Sequence, residues 1–113
     1  MIKLLVIKQK IELITIIITS IFAPFIEELI FRFSLRKIIG NRKYLFILVS
    51  GLLFGTAHVI SYITGLSDLL YIIPYAIPGF TLAYVFVDSD NIYVPIGLHC
   101  LHNTLTLLLQ LLV

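Results

Sequence analysis

The sequence predicts an all-α fold, a polytopic membrane helical bundle of about four transmembrane helices. The chain is 60% hydrophobic and 12% charged, with a mean hydropathy of +1.11, whereas an ordinary soluble domain carries roughly a quarter charged residues. Its apolar residues fall into four stretches, each near the length of about 20 residues that a spanning helix needs. The predicted spans are residues 11–32, 44–62, 69–87 and 94–113, within a single membrane domain over residues 1–113.

The distribution of charge and cysteine excludes several function classes. The net charge is +2 and every Lys and Arg lies at or before Lys43, a balance too small and too localised for nucleic-acid binding. Apolar stretches recur along the whole chain, which argues against a lone signal peptide. The single cysteine, Cys100, allows neither an internal disulfide nor a multi-cysteine metal site. We therefore expect a multi-pass integral membrane protein whose surroundings are the lipid bilayer.

Prolines, glycines and tyrosines mark particular points of the predicted spans. Pro24 removes a backbone hydrogen bond to the carbonyl of Ser20, so we expect a kink in the first helix. The third helix is expected to be bent or broken, because it contains Pro74 and Pro78. In the second helix, Gly51 and Gly55 form a small-xxx-small pair, which allows a neighbouring helix to approach closely. Five tyrosines are interpreted as mostly interfacial anchors: Tyr62, Tyr71, Tyr75, Tyr84 and Tyr93.

Two adjacent glutamates near the end of the first span are the most informative polar residues. An ionised carboxylate near hydrocarbon costs roughly a few kcal/mol, so it usually faces a partner or a wet cavity. Glu28 and Arg32 are four residues apart and share one helix face, in the favourable acid-before-base order. Glu27 points about 100° away and has no local cation, which makes it a candidate general base. The alternative is a helix-end ion pair beside a solvated Glu27.

Two further predicted spans carry histidines. A lone histidine in an apolar helix, such as His58, is more often a hydrogen-bonded core residue than a catalyst. His99 and Asn103 lie four residues apart on one face of the last span, with His102 near that face. A histidine and an asparagine on adjacent turns can offer two donors to one oxygen, as an oxyanion hole requires. Interhelical hydrogen bonding is the alternative.

Considered together, these polar clusters point to one kind of chemistry. A carboxylate pair, two separate histidine-bearing helices and an asparagine all fall within apolar segments. Hydrolysis inside a bilayer requires a base for water, a group that orients the water, and donors for the developing oxyanion. The combination therefore favours a hydrolytic site over independent structural accidents.

The order and spacing of these residues resemble a known family. Residues Glu27–Arg32 read EELIFR, Phe54–His58 read FGTAH and His99–Asn103 read HCLHN. These are similar to the EExxFR, FxxxH and HxxxN motifs of the CAAX-protease and bacteriocin-processing family, also called Abi or type II CAAX prenyl endopeptidases. The resemblance covers nearly the whole chain from Pro24 onward.

The resemblance implies an intramembrane endopeptidase with a helical fold, in the membrane of a bacterial cell. By analogy Glu27, helped by His58, activates the water, while His99 and Asn103 stabilise the oxyanion. The implied substrate is a membrane-associated peptide or protein, and prenylated and leader-bearing substrates both stay open. Bacterial members of the family are linked to peptide maturation and bacteriocin self-immunity. The remaining motif residues are implied to be a supporting pair: Glu28 and Arg32.

No cofactor is favoured by the sequence, and zinc is the alternative. Two histidines and a glutamate can hold zinc with an open position, and the set would be Glu27, His58 and His99. The chain has no HExxH motif, and Asn103 beside His99 is a poor zinc ligand because amide ligands are unusual for this metal. We therefore favour a glutamate-activated water without a metal.

Two other function classes stay open. The first is a non-catalytic membrane protein of the same fold that acts in bacteriocin self-immunity or partner binding. The second is a transporter, against which four short helices without an internal repeat argue. Family members usually carry further spanning helices before the glutamate helix, and here Met1–Lys10 precede it. The chain is accordingly expected to be a complete enzyme, a minimal core or a truncated relic.

Overall fold

The computed structural model covers residues 1–113 and consists of four helices without strands. They are α1 (Ile2–Ile39), α2 (Lys43–Tyr62), α3 (Leu66–Ser89) and α4 (Tyr93–Leu112). The predicted all-α helical bundle is confirmed. The first helix begins nine residues before the predicted span, because the lysines that delimit an apolar stretch are also good helix formers.

The distribution of polar and apolar side chains is that of a membrane protein. Only 17 of the 113 residues are buried, and most large hydrophobic side chains lie on the outer surface, where lipid tails can cover them. Three helices, α1 to α3, are long and apolar enough to cross a membrane. The fourth is of similar length, but polar residues interrupt its apolar sequence. The buried residues include five polar or charged ones: Ser20, Glu28, Arg32, Ser50 and His99. A multi-pass integral membrane protein is thereby confirmed.

The connections between the helices are short and have local causes. Gly40 follows the last residue of α1 with a φ of 76°, a backbone conformation that favours glycine. Between α3 and α4, Asp90 adopts the left-handed conformation with a φ of 49°. The side-chain oxygen Oδ1 of Asn91 then accepts a hydrogen bond from the backbone N–H of Tyr93 at 3.0 Å. This bond satisfies one of the free N–H groups at the start of α4.

Close packing of α2 against α3 depends on glycines. A Cβ atom added at Gly55 would lie 2.8 Å from the backbone nitrogen of Ala76, and one at Gly51 would overlap the ring of Phe80. From the opposite helix, Gly79 lies against the backbone of Gly51. The predicted close approach at Gly51 and Gly55 is confirmed, because only residues without a Cβ leave room for the facing backbone.

Helix α3 is continuous through its prolines. Its α-helical part runs from Ile72 to Ser89 and contains Pro78 in its interior. Of the two predicted alternatives the break is wrong, and the bend stays a prediction. Membrane helices tolerate an interior proline where neighbouring groups compensate for the lost backbone bond. The irregular part of α3 precedes both prolines, as a 3₁₀ helix over Leu66–Tyr71.

The irregularity predicted at Pro24 is a change of hydrogen-bond register. Helix α1 contains two π-helical turns, Ile18–Phe22 and Leu29–Ser34, on either side of the α-helical segment Ala23–Glu28. The N–H of Ala23 donates to the carbonyl of Ile18, five residues back. In this register the donor five residues after Thr19 would be Pro24, which has no N–H, so the carbonyl of Thr19 lacks its π-helical partner. The two glutamates lie directly between these turns.

We predict that Gly55→Ala destabilises the protein. The added methyl would press on the backbone of α3, and overpacking of this kind typically costs about 1–3 kcal/mol. Thermal denaturation of the purified protein in detergent, followed by circular dichroism, measures the effect. Gly97→Ala is the matched control, because a Cβ at Gly97 meets nothing within 4 Å. Equal melting temperatures for the two variants would contradict the packing argument.

Candidate active site

The glutamate and arginine of the first motif form a buried ion pair. Glu28 and Arg32 are both 0% exposed, and Oε2 of Glu28 lies 3.1 Å from Nε of Arg32, as their spacing predicted. The Nη2 group of Arg32 donates a hydrogen bond to the backbone carbonyl of Gly79 in α3 at 3.0 Å. Its guanidinium carbon lies 4.7 Å from the centre of the Phe54 ring in α2, within the range of a cation–π contact. The pair therefore connects α1 to two neighbouring helices.

His99 bridges the two adjacent glutamates. Its Nδ1 atom lies 2.7 Å from Oε1 of Glu28, and its Nε2 atom lies 3.3 Å from Oε2 of Glu27. An ionised carboxylate can only accept, so the hydrogen between His99 and Glu28 is donated by Nδ1. The histidine itself is almost fully buried. Sequence reasoning missed this bridge, because 71 residues separate His99 from Glu28 and no local spacing reveals such a contact.

His58 approaches Glu27 from a second helix. Its Nδ1 lies 2.7 Å from the backbone carbonyl of Phe54, so Nδ1 carries the hydrogen and Nε2 is the free acceptor. That Nε2 atom is 3.9 Å from Oε1 of Glu27. The imidazole packs against the Phe54 ring and stacks on Tyr75, whose ring centre is 5.7 Å away at an interplanar angle of 17°. The sequence offered no signal for the contact with Tyr75.

Asn103 binds the first π turn of α1. Its Nδ2 group donates a hydrogen bond to the carbonyl of Thr19 at 3.0 Å, the carbonyl that the π register and Pro24 leave without a backbone partner. One of the two N–H groups of the amide remains free of this bond. The second π turn has a corresponding clamp, since the hydroxyl of Ser50 donates to the carbonyl of Phe31 at 2.7 Å. The sequence offered interhelical hydrogen bonding as the alternative for Asn103, but it indicated neither the Thr19 carbonyl as its partner nor the bond of Ser50.

A cavity of about 720 Å³ opens beside these residues. It is bordered by α2, α3, α4 and the glutamate segment of α1. The four residues predicted to be catalytic all line it: Glu27, His58, His99 and Asn103. His102 also lines the cavity, whereas Glu28 and Arg32 do not. The remaining lining is mostly apolar or weakly polar, and includes Phe54, Tyr75, Pro78, Leu82 and Leu98.

The site does not contain a ready-made metal-binding group. No three His, Cys, Asp or Glu side chains are grouped so that they could hold a metal ion. This includes the set named for zinc, Glu27, His58 and His99. The contacts within that set run from Glu27 to each imidazole, at 3.3 and 3.9 Å.

The fold and the site define a class of protein: a multi-pass helical membrane protein with two glutamates and two histidines gathered beside an intramembrane cavity. More particularly, the chain belongs to the family described as type II CAAX prenyl endopeptidase Rce1-like, whose family model matches residues 9–105. The resemblance inferred from the three motifs is thereby confirmed.

Two curated bacterial relatives are similar over most of this chain. The putative membrane peptidase YdiL of Bacillus subtilis is 33% identical over 85% of the chain, and the membrane-embedded CAAX protease MroQ of Staphylococcus aureus is 36% identical over 97% of it. The matched region is 37% of the first relative and 44% of the second, so the chain spans less than half the length of these relatives. Among solved structures, none matches the chain significantly.

We predict that Arg32→Met strongly destabilises the protein. The change leaves the buried carboxylate of Glu28 without its cation, and breaking a buried ion pair typically costs about 3–5 kcal/mol. Unfolding in mixed detergent micelles, followed by circular dichroism, measures the loss. Lys8→Met is the control, because it removes the exposed pair between Lys8 and Glu12 and is expected to leave stability unchanged. Similar stabilities for the two variants would show that the buried pair does not hold the helices.

Proposed function

We propose that this chain hydrolyses a peptide bond of a membrane-associated substrate in the large cavity, acting as an intramembrane endopeptidase. The observation that carries the proposal is the position of Glu27. Its carboxylate, 28% exposed, lies between the Nε2 atoms of His58 and His99 at the cavity wall. A carboxylate with access to water and imidazoles on two sides is suited to general-base catalysis.

The two glutamates differ in what their oxygens contact. One oxygen of Glu28 is hydrogen-bonded to His99 and the other lies 3.1 Å from the cation of Arg32, and the residue has no exposed surface. Glu27 has no arginine or lysine partner and lines the cavity. We therefore assign the role of base to Glu27 and a supporting role to the pair of Glu28 and Arg32.

The proposed reaction follows from these positions. Glu27 takes a proton from a water molecule that His58 helps to orient, and the resulting hydroxide adds to the carbonyl carbon of the substrate. The tetrahedral intermediate collapses with cleavage of the C–N bond. The proton held by Glu27 passes to the departing nitrogen. No other reactant is needed.

The developing oxyanion needs hydrogen-bond donors at the cavity wall. Asn103 lines the cavity, and its bond to the carbonyl of Thr19 orients the amide while leaving a second N–H free. His99 can donate only from Nε2, because Nδ1 is bound to Glu28. We propose Asn103 and His99 as the oxyanion donors, with the Nε2 of His99 carrying a hydrogen in that step.

The family and its relatives support peptidase chemistry in general terms. YdiL is named a putative membrane peptidase and MroQ a membrane-embedded CAAX protease. The substrate class that we propose for this chain is a peptide or protein at the membrane, prenylated or leader-bearing. The mostly apolar lining of the cavity is compatible with either. We further propose that residues 1–113 act as one membrane domain, since the bonds of Arg32, His99 and Asn103 join α1 to α3 and α4.

We propose water activation by Glu27 without a metal ion. The sequence left zinc as an alternative, although the side chains named for it are not grouped as a metal site. The activity assay below separates the two if it is run with and without a chelator. Activity that is lost to the chelator and restored only by added zinc would contradict the metal-free mechanism.

We predict that Glu27→Gln abolishes peptide cleavage while the protein stays folded. The amide has almost the same shape but cannot accept the proton, and general-base catalysis typically contributes about 10²–10⁴-fold in rate. The assay incubates purified protein with prenylated and leader-bearing peptides and follows cleavage products by mass spectrometry. Glu12→Gln, an exposed change on the same helix, is the control.

Either of two outcomes would overturn this assignment. Full activity in Glu27→Gln would exclude its role as the base. Absence of cleavage by the unaltered protein, together with an immunity phenotype that survives Glu27→Gln, would favour a non-catalytic membrane protein.

We predict that Asn103→Leu lowers kcat more than it raises KM. Removal of an oxyanion donor typically costs about 10²–10³ in kcat, because the interaction is made mainly in the transition state. Ser50→Ala is the matched control, since it removes the clamp on the other π turn without touching the cavity. Steady-state kinetics and melting temperatures are measured for both variants. Equal losses of kcat in the two variants would exclude Asn103 as an oxyanion donor and leave it a structural role only.

A further inference from the structure

A second, smaller cavity lies next to the first. Its volume is about 170 Å³, equivalent to roughly five or six water molecules, and it lies where α2 ends and α3 begins. Tyr75 lines both cavities and also stacks on His58, so the small cavity adjoins the site of the proposed reaction. Its lining is three tyrosines, two aliphatic residues and one acid: Val59, Tyr62, Ile63, Asp68, Tyr71 and Tyr75.

The acidic residue of this cavity, Asp68, is oriented by hydrogen bonds but forms no ion pair within the chain. Its Oδ2 atom accepts hydrogen bonds from the N–H and hydroxyl of Thr64, at 2.9 and 2.8 Å, and from the N–H of Gly65 at 3.2 Å. No hydrogen bond or ion pair within the chain reaches the other oxygen of Asp68. Every Lys and Arg of the chain lies at or before Lys43. The carboxylate is therefore an oriented, solvent-accessible negative charge that forms no ion pair within the chain.

Aromatic rings that border the same cavity as a carboxylate are suited to bind a cation. The face of a tyrosine ring carries negative electrostatic potential and attracts an ammonium or guanidinium group. Three tyrosines beside Asp68 combine this attraction with a full negative charge. Tyr62 and Tyr71 are largely exposed, as interfacial anchors are, and together with Tyr75 they also border the cavity that contains Asp68.

The position of the cavity relates it to the proposed reaction. Tyr62 follows His58 by four residues in α2, and Tyr71 precedes Tyr75 by four in α3. Four residues advance a helix by about 6 Å, whereas an extended peptide advances about 3.3–3.6 Å per residue. A substrate whose scissile bond lies beside Glu27 and His58 would thus present a side chain to the small cavity about two residues away.

We propose that the small cavity is a cation subsite that receives a lysine or arginine side chain of the substrate, about two residues from the scissile bond. That the bound side chain belongs to a substrate rests on the proposed function, whereas cation binding at Asp68 and the tyrosines does not. The peptidase would accordingly prefer peptides with a basic residue about two positions from the cleaved bond.

The first test measures binding without requiring cleavage. The protein is purified in a non-ionic detergent with ¹³C-labelled tyrosine rings, and its six tyrosines are followed by NMR. The probes are Nα-acetyl-lysine methylamide and its uncharged analogue, Nα-acetyl-norleucine methylamide. We expect the lysine probe to shift the signals of Tyr62, Tyr71 and Tyr75 and to bind roughly threefold to thirtyfold more tightly than the norleucine probe. The signal of Tyr93 is the internal control.

Variants assign the effect to the charge and to the aromatic ring. Asp68→Asn removes the negative charge but keeps an oxygen for Thr64 and Gly65, and it should abolish the preference for lysine. Asp88→Asn, an exposed change at the far end of α3, should retain it. Tyr71→Leu should also weaken the preference, and it serves as the second variant if Asp68→Asn does not fold. Equal binding of both probes, or a preference that persists in the folded variants, would overturn the cation site.

A lipid headgroup is the other source of an ammonium group. The titration is therefore repeated in bicelles containing phosphatidylethanolamine or phosphatidylglycerol. If phosphatidylethanolamine alone shifts the same three tyrosine signals and blocks the lysine probe, the occupant is a lipid and the substrate subsite is overturned. An unchanged lysine response in both bicelles supports the subsite.

Cleavage assays then separate the subsite from the proposed function. Peptides with lysine or norleucine at successive positions around the cleaved bond are compared in kcat/KM for the unaltered protein and Asp68→Asn. A lysine preference that disappears in Asp68→Asn supports the subsite. Cleavage without that preference overturns the subsite and leaves the peptidase, whereas selective lysine binding without any cleavage overturns the peptidase and leaves the cation site.

Discussion

The ion pair between Glu28 and Arg32 lies inside the bundle with no exposed surface, and two charges in such a place are costly unless each has its partner. The pair also supplies contacts that cross between helices. Arg32 reaches the Gly79 carbonyl of α3 and the ring of Phe54 in α2, while Glu28 reaches His99 in α4. Lipid tails are as apolar as the helix surfaces, so helices in a membrane associate through polar contacts and close packing rather than the hydrophobic effect. The buried pair thus contacts each of the three other helices around the site.

The irregular backbone of α1 is the second constraint on the site. A regular helix satisfies its own carbonyl groups, whereas the π turns and Pro24 provide carbonyl oxygens that other helices bind. Asn103 of α4 binds the oxygen of Thr19, and Ser50 of α2 binds that of Phe31. These clamps lie on either side of the glutamate segment. Single π turns are rare in helices and occur frequently at functional sites, which agrees with their position here.

The same buried contacts give two adjacent glutamates different surroundings. Successive residues of a helix point about 100° apart, so Glu28 points towards Arg32 and the bundle interior, while Glu27 points towards the cavity. His99 contacts both carboxylates through its two ring nitrogens. One imidazole thus links the buried pair to the half-buried Glu27. The cavity beside Glu27, and the tyrosine-lined cavity next to it, provide the space in which a substrate would be held.

The sequence by itself determined the class of fold, the family and the partner of Glu28 within its own helix. Apolar stretches of spanning length, a glycine pair and an i, i+4 acid–base pair are local patterns, and local geometry suffices to interpret them. The tertiary structure alone decided that His99 bridges Glu27 and Glu28, that Asn103 clamps a π turn, and that Tyr75 stacks on His58. These contacts join residues far apart in the chain, and they depend on the rotation and depth of each helix relative to its neighbours. Helix periodicity does not contain that information, because it describes one helix at a time.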